Sequence, residues 1–183
     1  MKILSIDIET YSDVPLQKTG VYRYVESPNF EILLFAYSAD NQPVQVIDLA
    51  CGEHLPKQVL LALEDESVIK WAFNTAFERI CLSRFLGYPN GEYLEPESWR
   101  CSMIWAAKWD SHSPWKVSAL FSVWKSKSSQ KKKTSSSTSA SPVLPQRPMD
   151  SVQEIVPDKW SMFKKYNIRN VETEMGIQQR LYQ

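Results

Sequence analysis

The chain has 183 residues, 43% hydrophobic and 23% charged, with 21 Lys+Arg against 21 Asp+Glu: a soluble globular composition, large enough to bury about 70% of the unfolded surface without staples, and with no net charge to draw the whole chain to nucleic acid or membrane. Three cysteines without a CxxC and only two histidines exclude a zinc ribbon, a disulfide scaffold and a His-rich metal site, and fit a reducing cytoplasm. No apolar run approaches the ~20 residues of a membrane span, Asp7 and Glu9 break the N-terminal apolar stretch that a signal peptide needs, and neither GxGxxG nor GxxxxGKS/T is present.

Residues 1–109 read as α/β. Ile3, Leu4, Ile6 and Ile8 mark a half-buried strand over Lys2–Thr10, and Phe30–Ser38 is a second, apolar and aromatic strand. Asn41-Gln42-Pro43 is turn chemistry, and Val44–Leu49 follows as a third strand, giving an antiparallel meander. Pro56–Glu64 sets Val59, Leu60 and Leu63 on one helix face. Val68–Phe73 is a short buried strand, Ala76–Leu86 has helix periodicity through Phe77, Ile80, Cys81 and Phe85, and Ser98–Lys108 reads as a further helix.

Residues 110–157 differ in kind. Lys125–Ser141 holds only Ser, Lys, Thr, Gln and Ala, and Pro142, Pro145, Pro148 and Pro157 follow. Such a stretch buries too little apolar surface to offset its ordering entropy, so a disordered or poorly packed Ser/Lys/Pro-rich insert is expected. It reads either as a solvated linker or as a basic arm for nucleic acid, and either as a divergent insert or as the product of a shifted reading frame. Residues 158–183 are helical, with Asp158 as N-cap and Trp160, Phe163, Ile168, Val171, Met175, Ile177 and Leu181 as the apolar stripe.

The chemistry-bearing residues fall in three places. Asp7 and Glu9 alternate on a strand and therefore share a face, near the C-terminal end where α/β sheets place their sites. Two such carboxylates repel unless a cation sits between them, and oxygen donors of this kind suit Mg²⁺ or Mn²⁺. A solvated strand face is the plainer alternative. Asn74-Thr75-Ala76-Phe77-Glu78 leaves a strand and opens a helix, where Glu78 is favourable at the positive end of the helix dipole in any case. Tyr166 and Asn170, at i and i+4, present a phenol and an amide side by side.

Taken in order, Asp7-x-Glu9, Asn74-x-x-x-Glu78 and Tyr166-x-x-x-Asn170 resemble the three exonuclease motifs of the DEDD superfamily in its tyrosine subtype. The text around them, KILSIDIETYSDVPLQKTGVYRYVESPNFEILLFAYS, VIKWAFNTAFERICLSRFLG and DKWSMFKKYNIRNVETEMGIQQRL, is similar to the proofreading domain of phage and prophage family A DNA polymerases. The resemblance implies a ribonuclease H-like fold, a mixed sheet flanked by helices, and a 3′–5′ exonuclease serving DNA replication in the cytoplasm of a bacterial or phage-infected cell. It implies two Mg²⁺ or Mn²⁺ ions, with Asp7 bridging them, Glu9 on the first, Glu78 supporting the second through water and Tyr166 orienting the attacking water. Asn74 and Thr10 would touch the 3′-terminal nucleotide of single-stranded DNA, and Tyr11 would stack on an unpaired base. Two residues depart from the pattern: Glu78 stands where many relatives have Asp, and Asn170 stands where the family has a metal-binding Asp. Losing that charge is expected to impair catalysis, since even outer-shell losses cost ~10–100-fold. The chain also holds no room for the polymerase domain. A catalytically inactive prophage remnant that only binds nucleic acid is the alternative.

Overall fold

The computed structural model describes residues 1–105 and 157–181; Lys125–Ser141 and almost all of the segment 110–157 lie outside the described residues. Five strands form one mixed sheet in the order β3-β2-β1-β4-β5, with β1 (Ile3–Tyr11) at its centre, flanked by β2 (Glu31–Ala39) and β4 (Ile69–Ala72) and edged by β3 (Gln45–Asp48) and β5 (Trp99–Cys101). β1 to β3 are antiparallel neighbours, as the expected meander requires, while β4 and β5 run parallel to β1. Among the described residues the longer helices are α1 (Leu16–Glu26), α2 (Lys57–Glu64), α3 (Thr75–Phe85) and α4 (Pro157–Leu181), with a 3₁₀ turn at Leu49–Cys51.

Alternation along β1 builds the two layers. Leu4, Ile6 and Ile8 join Tyr24 and Val25 of α1, Val59 and Leu63 of α2, and Ile80 and Leu82 of α3 in the main core. The odd residues Ser5 and Asp7 face α4 instead, which rests on β2 through Trp160 and Phe163 against Leu33 and Leu34. The β2–β3 hairpin turns through Asp40 and Asn41, both at positive φ (49° and 61°), a conformation that Asp and Asn tolerate better than other side chains. Asp40 also accepts from the backbone N–H groups of Lys2 (2.7 Å) and Ile3 (2.9 Å), tying the start of β1 to this turn.

Two elements differ from the sequence reading. The expected helix Ser98–Lys108 begins as strand β5, paired parallel to β4 through Lys70↔Trp99 and Ala72↔Cys101, and helix starts only at 102–105. Pairing satisfies the outer edge of β4, and Trp99 and Cys101 are buried by it. The loop after β1 contains α1, which apolar periodicity does not reveal: Pro15 occupies its N-cap position and Gly20 breaks its helical geometry at φ 77°, ψ 168°. That backbone region is essentially restricted to glycine.

Candidate active site

A β-bulge between Glu9 and Thr10 shifts the register so that Glu9 faces Leu34 and Thr10 faces Ile32. Bulges re-aim side chains next to sites, and this one lies where β1 ends beside α4. Here Asp7 is held from α4: Asn167 Nδ2 donates to Asp7 Oδ2 at 2.6 Å and to the Asp7 carbonyl at 3.2 Å, and Asn170 Nδ2 donates to the same Oδ2 at 3.1 Å. Burial pushes the Asp7 carboxyl up to about 6, although both amides favour its charged form.

Glu78 comes to this place from the first turn of α3. It is buried, and its Oε2 has no hydrogen-bond partner. Burial raises its pKa well above the ordinary range, and the charges of Asp7 and Glu174 raise it further. Tyr166 is half-buried and hydrogen-bonded to Asn170; burial raises its pKa, as do the charges of Glu9 and Asp7. Thr10 shares a 2.9 Å hydrogen bond with the Tyr24 hydroxyl, and Tyr11 is half-buried against the Trp160 cluster. Asn74 is exposed at the N-cap position of α3, where its side chain makes no capping hydrogen bond. Strand β1, helix α3 and helix α4, remote in sequence, thus meet around Asp7.

Three buried polar residues on the sheet-facing side of α4 escaped the sequence reading: Asn167, Glu174 and Gln178. Glu174 is hydrogen-bonded to Ser102, and Gln178 Nε2 donates to Ser5 Oγ at 2.8 Å. Burial pushes Glu174 up to about 7; the Ser102 hydroxyl and Gln178 amide oppose the rise and Asp7 adds to it. With Asn170 they form a polar row at i, i+3, i+7 and i+11 among the apolar positions, a signal that counting only the apolar stripe conceals. Asp48 is the other missed residue. It is 1% exposed, accepts from Trp160 Nε1 at 2.7 Å and pairs with Lys164 Nζ at 2.6 Å, so it pins the start of α4 to the end of β3.

The donor chemistry around Asp7 suits a hard divalent cation: carboxylates gathered in one place, with Glu78 and Glu174 each keeping an orphaned buried oxygen and the charge of Asp7 raising the pKa of both. The geometry stops short of a coordination shell. Among the described residues, no three His, Cys, Asp or Glu side chains are grouped so that they could hold an ion as they stand, and two amide N–H groups occupy Asp7 Oδ2.

Fold and site together define a ribonuclease H-like α/β domain with acidic residues at the end of its central strand. No family model matches the chain. Over 188 residues, 99% of this chain, it is 41% identical to the DNA polymerase of Bacillus phage SP02, and this chain covers 28% of that protein's length, as one part of it would. Among solved structures it is similar to Brucella melitensis NrnC, with bound Mg²⁺ (TM-score 0.44, 15% identity) and bound to pGG (TM-score 0.41, 16% identity), each covering 99% of this chain and 80% of NrnC. No described helix is long and apolar enough to cross a membrane.

Proposed function

We propose that this domain is a divalent-cation-dependent 3′–5′ exonuclease acting on single-stranded DNA 3′ ends. The observation that carries the reading is the meeting of β1, α3 and α4 residues at Asp7. The likeness to part of a phage DNA polymerase supports it.

Phosphodiester hydrolysis needs an activated water and relief of charge on the leaving 3′ oxygen, and bound Mg²⁺ or Mn²⁺ supplies both. Asp7, Glu9 and Glu78 would hold the ions, with the Asn170 amide oxygen as a neutral donor. The Tyr166 hydroxyl would hold the attacking water in line with the phosphorus. Thr10 and Asn74 would fix the terminal nucleotide, and Tyr11 would carry an unpaired base on its ring.

A second reading, a remnant that binds 3′ ends without cutting them, is favoured by one observation: amides rather than a carboxylate face Asp7 from α4. The test is shortening of a 5′-labelled single strand with Mg²⁺ or Mn²⁺, in the parent and in Asp7→Ala. We expect one-nucleotide steps from the 3′ end in the parent and none in the variant. A folded parent that binds the strand without shortening it would replace the enzyme reading with the remnant reading.

A further inference from the structure

Within the nuclease reading, Asn170 leaves α4 one negative charge short. Four residues further along the same helix lies Glu174. Asn170 donates to Asp7 and Gln178 donates to Ser5, so α4 crosses β1 between those two contacts with Glu174 midway. Glu174 is 3% exposed, and the Ser102 hydroxyl, just after β5, holds its Oε2. Its Oε1 has no hydrogen-bond partner of normal geometry, because the Gln178 amide is directed at Ser5. Glu78 Oε2 on α3 and Asn167 Oδ1, two turns earlier on α4, are also buried without partners. A buried carboxylate that lacks a counter-cation is expensive to keep, and a bland core would place a Leu or Met here.

We propose that Glu174 supplies the charge that Asn170 lacks, acting from behind Asp7 and Glu78 to raise the affinity of their site for one divalent cation. Ser102 is its positioning partner; Glu174 works through the field at the ion rather than by ligating it. In a dry site a unit charge acts at several ångströms with far more force than in water. Relocating the carboxylate from residue 170 to residue 174 therefore preserves much of its electrostatic effect.

The experiment measures Mn²⁺ binding directly, from the free-ion electron paramagnetic resonance signal, on the full chain. Parent, Asp7→Asn, Glu174→Gln, Glu174→Asp and the double variant Asn170→Asp/Glu174→Gln are compared, each with its metal-free melting temperature. Glu174→Gln should weaken Mn²⁺ about 10-fold or more while its metal-free melting temperature holds or rises, because repulsion is removed. Glu174→Asp should keep most of the affinity, and the double variant should regain what Glu174→Gln loses. A purely structural residue would give neither the rescue by a charge at 170 nor the opposed shifts. Parental affinity in Glu174→Gln, with binding lost in Asp7→Asn, overturns this inference and leaves the nuclease reading standing. Weak binding in Glu174→Asp, or no recovery in the double variant, overturns it as well. A folded parent that binds no Mn²⁺ overturns both.

Discussion

Asn167 carries more of the structure at Asp7 than Asn170 does, although only Asn170 belongs to the motif read from sequence. Its side chain is 0% exposed, and one amide nitrogen serves both the Asp7 carboxylate and the Asp7 carbonyl. Asn170 is half-buried and makes the longer contact. Removing Asn167 leaves a buried carboxylate oxygen short of a donor, a loss of about 1–3 kcal/mol, and adds a small void. Asn167→Ala is therefore expected to lower unfolding free energy by about 2–4 kcal/mol in urea titration, and Asn170→Ala by distinctly less. Equal losses from the two would mean that Asp7 takes its support from the motif residue alone. Asn167 was hidden in the sequence because Tyr166 beside it drew the reading to the i, i+4 pair, and an Asn in an exposed-looking run carries no burial signal of its own.

At the scale of elements, α4 is the part that assembles the site, and polar contacts add to the packing of Trp160 and Phe163 on Leu33 and Leu34 in fixing it. Near its start, Asp48 accepts from Trp160 Nε1 and from the Cys51 backbone N–H and pairs with Lys164. Burial alone would raise the Asp48 carboxyl, but the Lys164, Trp160 and Cys51 groups outweigh it and hold it below the ordinary range. Trp160→Phe keeps the aromatic packing on Leu33 and Leu34 but removes one donor to that carboxylate. It should cost about 1–3 kcal/mol in denaturant unfolding, whereas a Trp→Phe change with no effect would show that packing alone seats the helix. The elements differ in legibility for physical reasons. Apolar patterning in β1, an apolar and aromatic run in β2 and the Asn41-Gln42-Pro43 turn before β3 made those strands readable, and 3.6 periodicity did the same for α2, α3 and α4. Strand β5 is three residues long, too short for any period, and its identity comes from the free edge of β4. Helix α1 carries Pro15 at its cap and Gly20 in its middle, and only Tyr24 and Val25 of it are buried, so nothing periodic announces it. The three motifs were legible as chemistry; the Asp48 clamp and the polar row below Asn170 were not, because tertiary contacts alone make those residues buried.

For the whole molecule, the acidic cluster sets a pH dependence opposite to that of an ordinary ion-paired carboxylate. Asp7 is raised from 3.8 to about 6 and Glu174 from 4.5 to about 7, each chiefly by burial, and Glu78 moves the same way. A carboxyl with a raised folded pKa keeps its proton in the folded chain where the unfolded chain has already lost it. Its contribution is then fully present below the unfolded value and is lost as pH rises through the folded value. Asp40, Asp48 and Asp65 are lowered; their contribution is present above 3.8 and is lost only toward acid, so these three are ionised in both states from about pH 5 upward. Among the shifted carboxyls of the described residues, the interval between about 5 and about 7 therefore belongs to Asp7 and Glu174, with Glu78 shifted in the same direction. In EDTA the melting temperature should fall across that interval. A divalent cation bound at the cluster favours the ionised carboxylates and stabilises only the folded chain, so saturating Mn²⁺ should flatten or reverse the fall. Asp7→Asn removes one titrating group and should make the EDTA profile shallower and the Mn²⁺ effect smaller. A melting temperature that rises between pH 5 and 7 in EDTA would show that the three carboxyls do not share one dry site, and the cation site proposed around them would go with it.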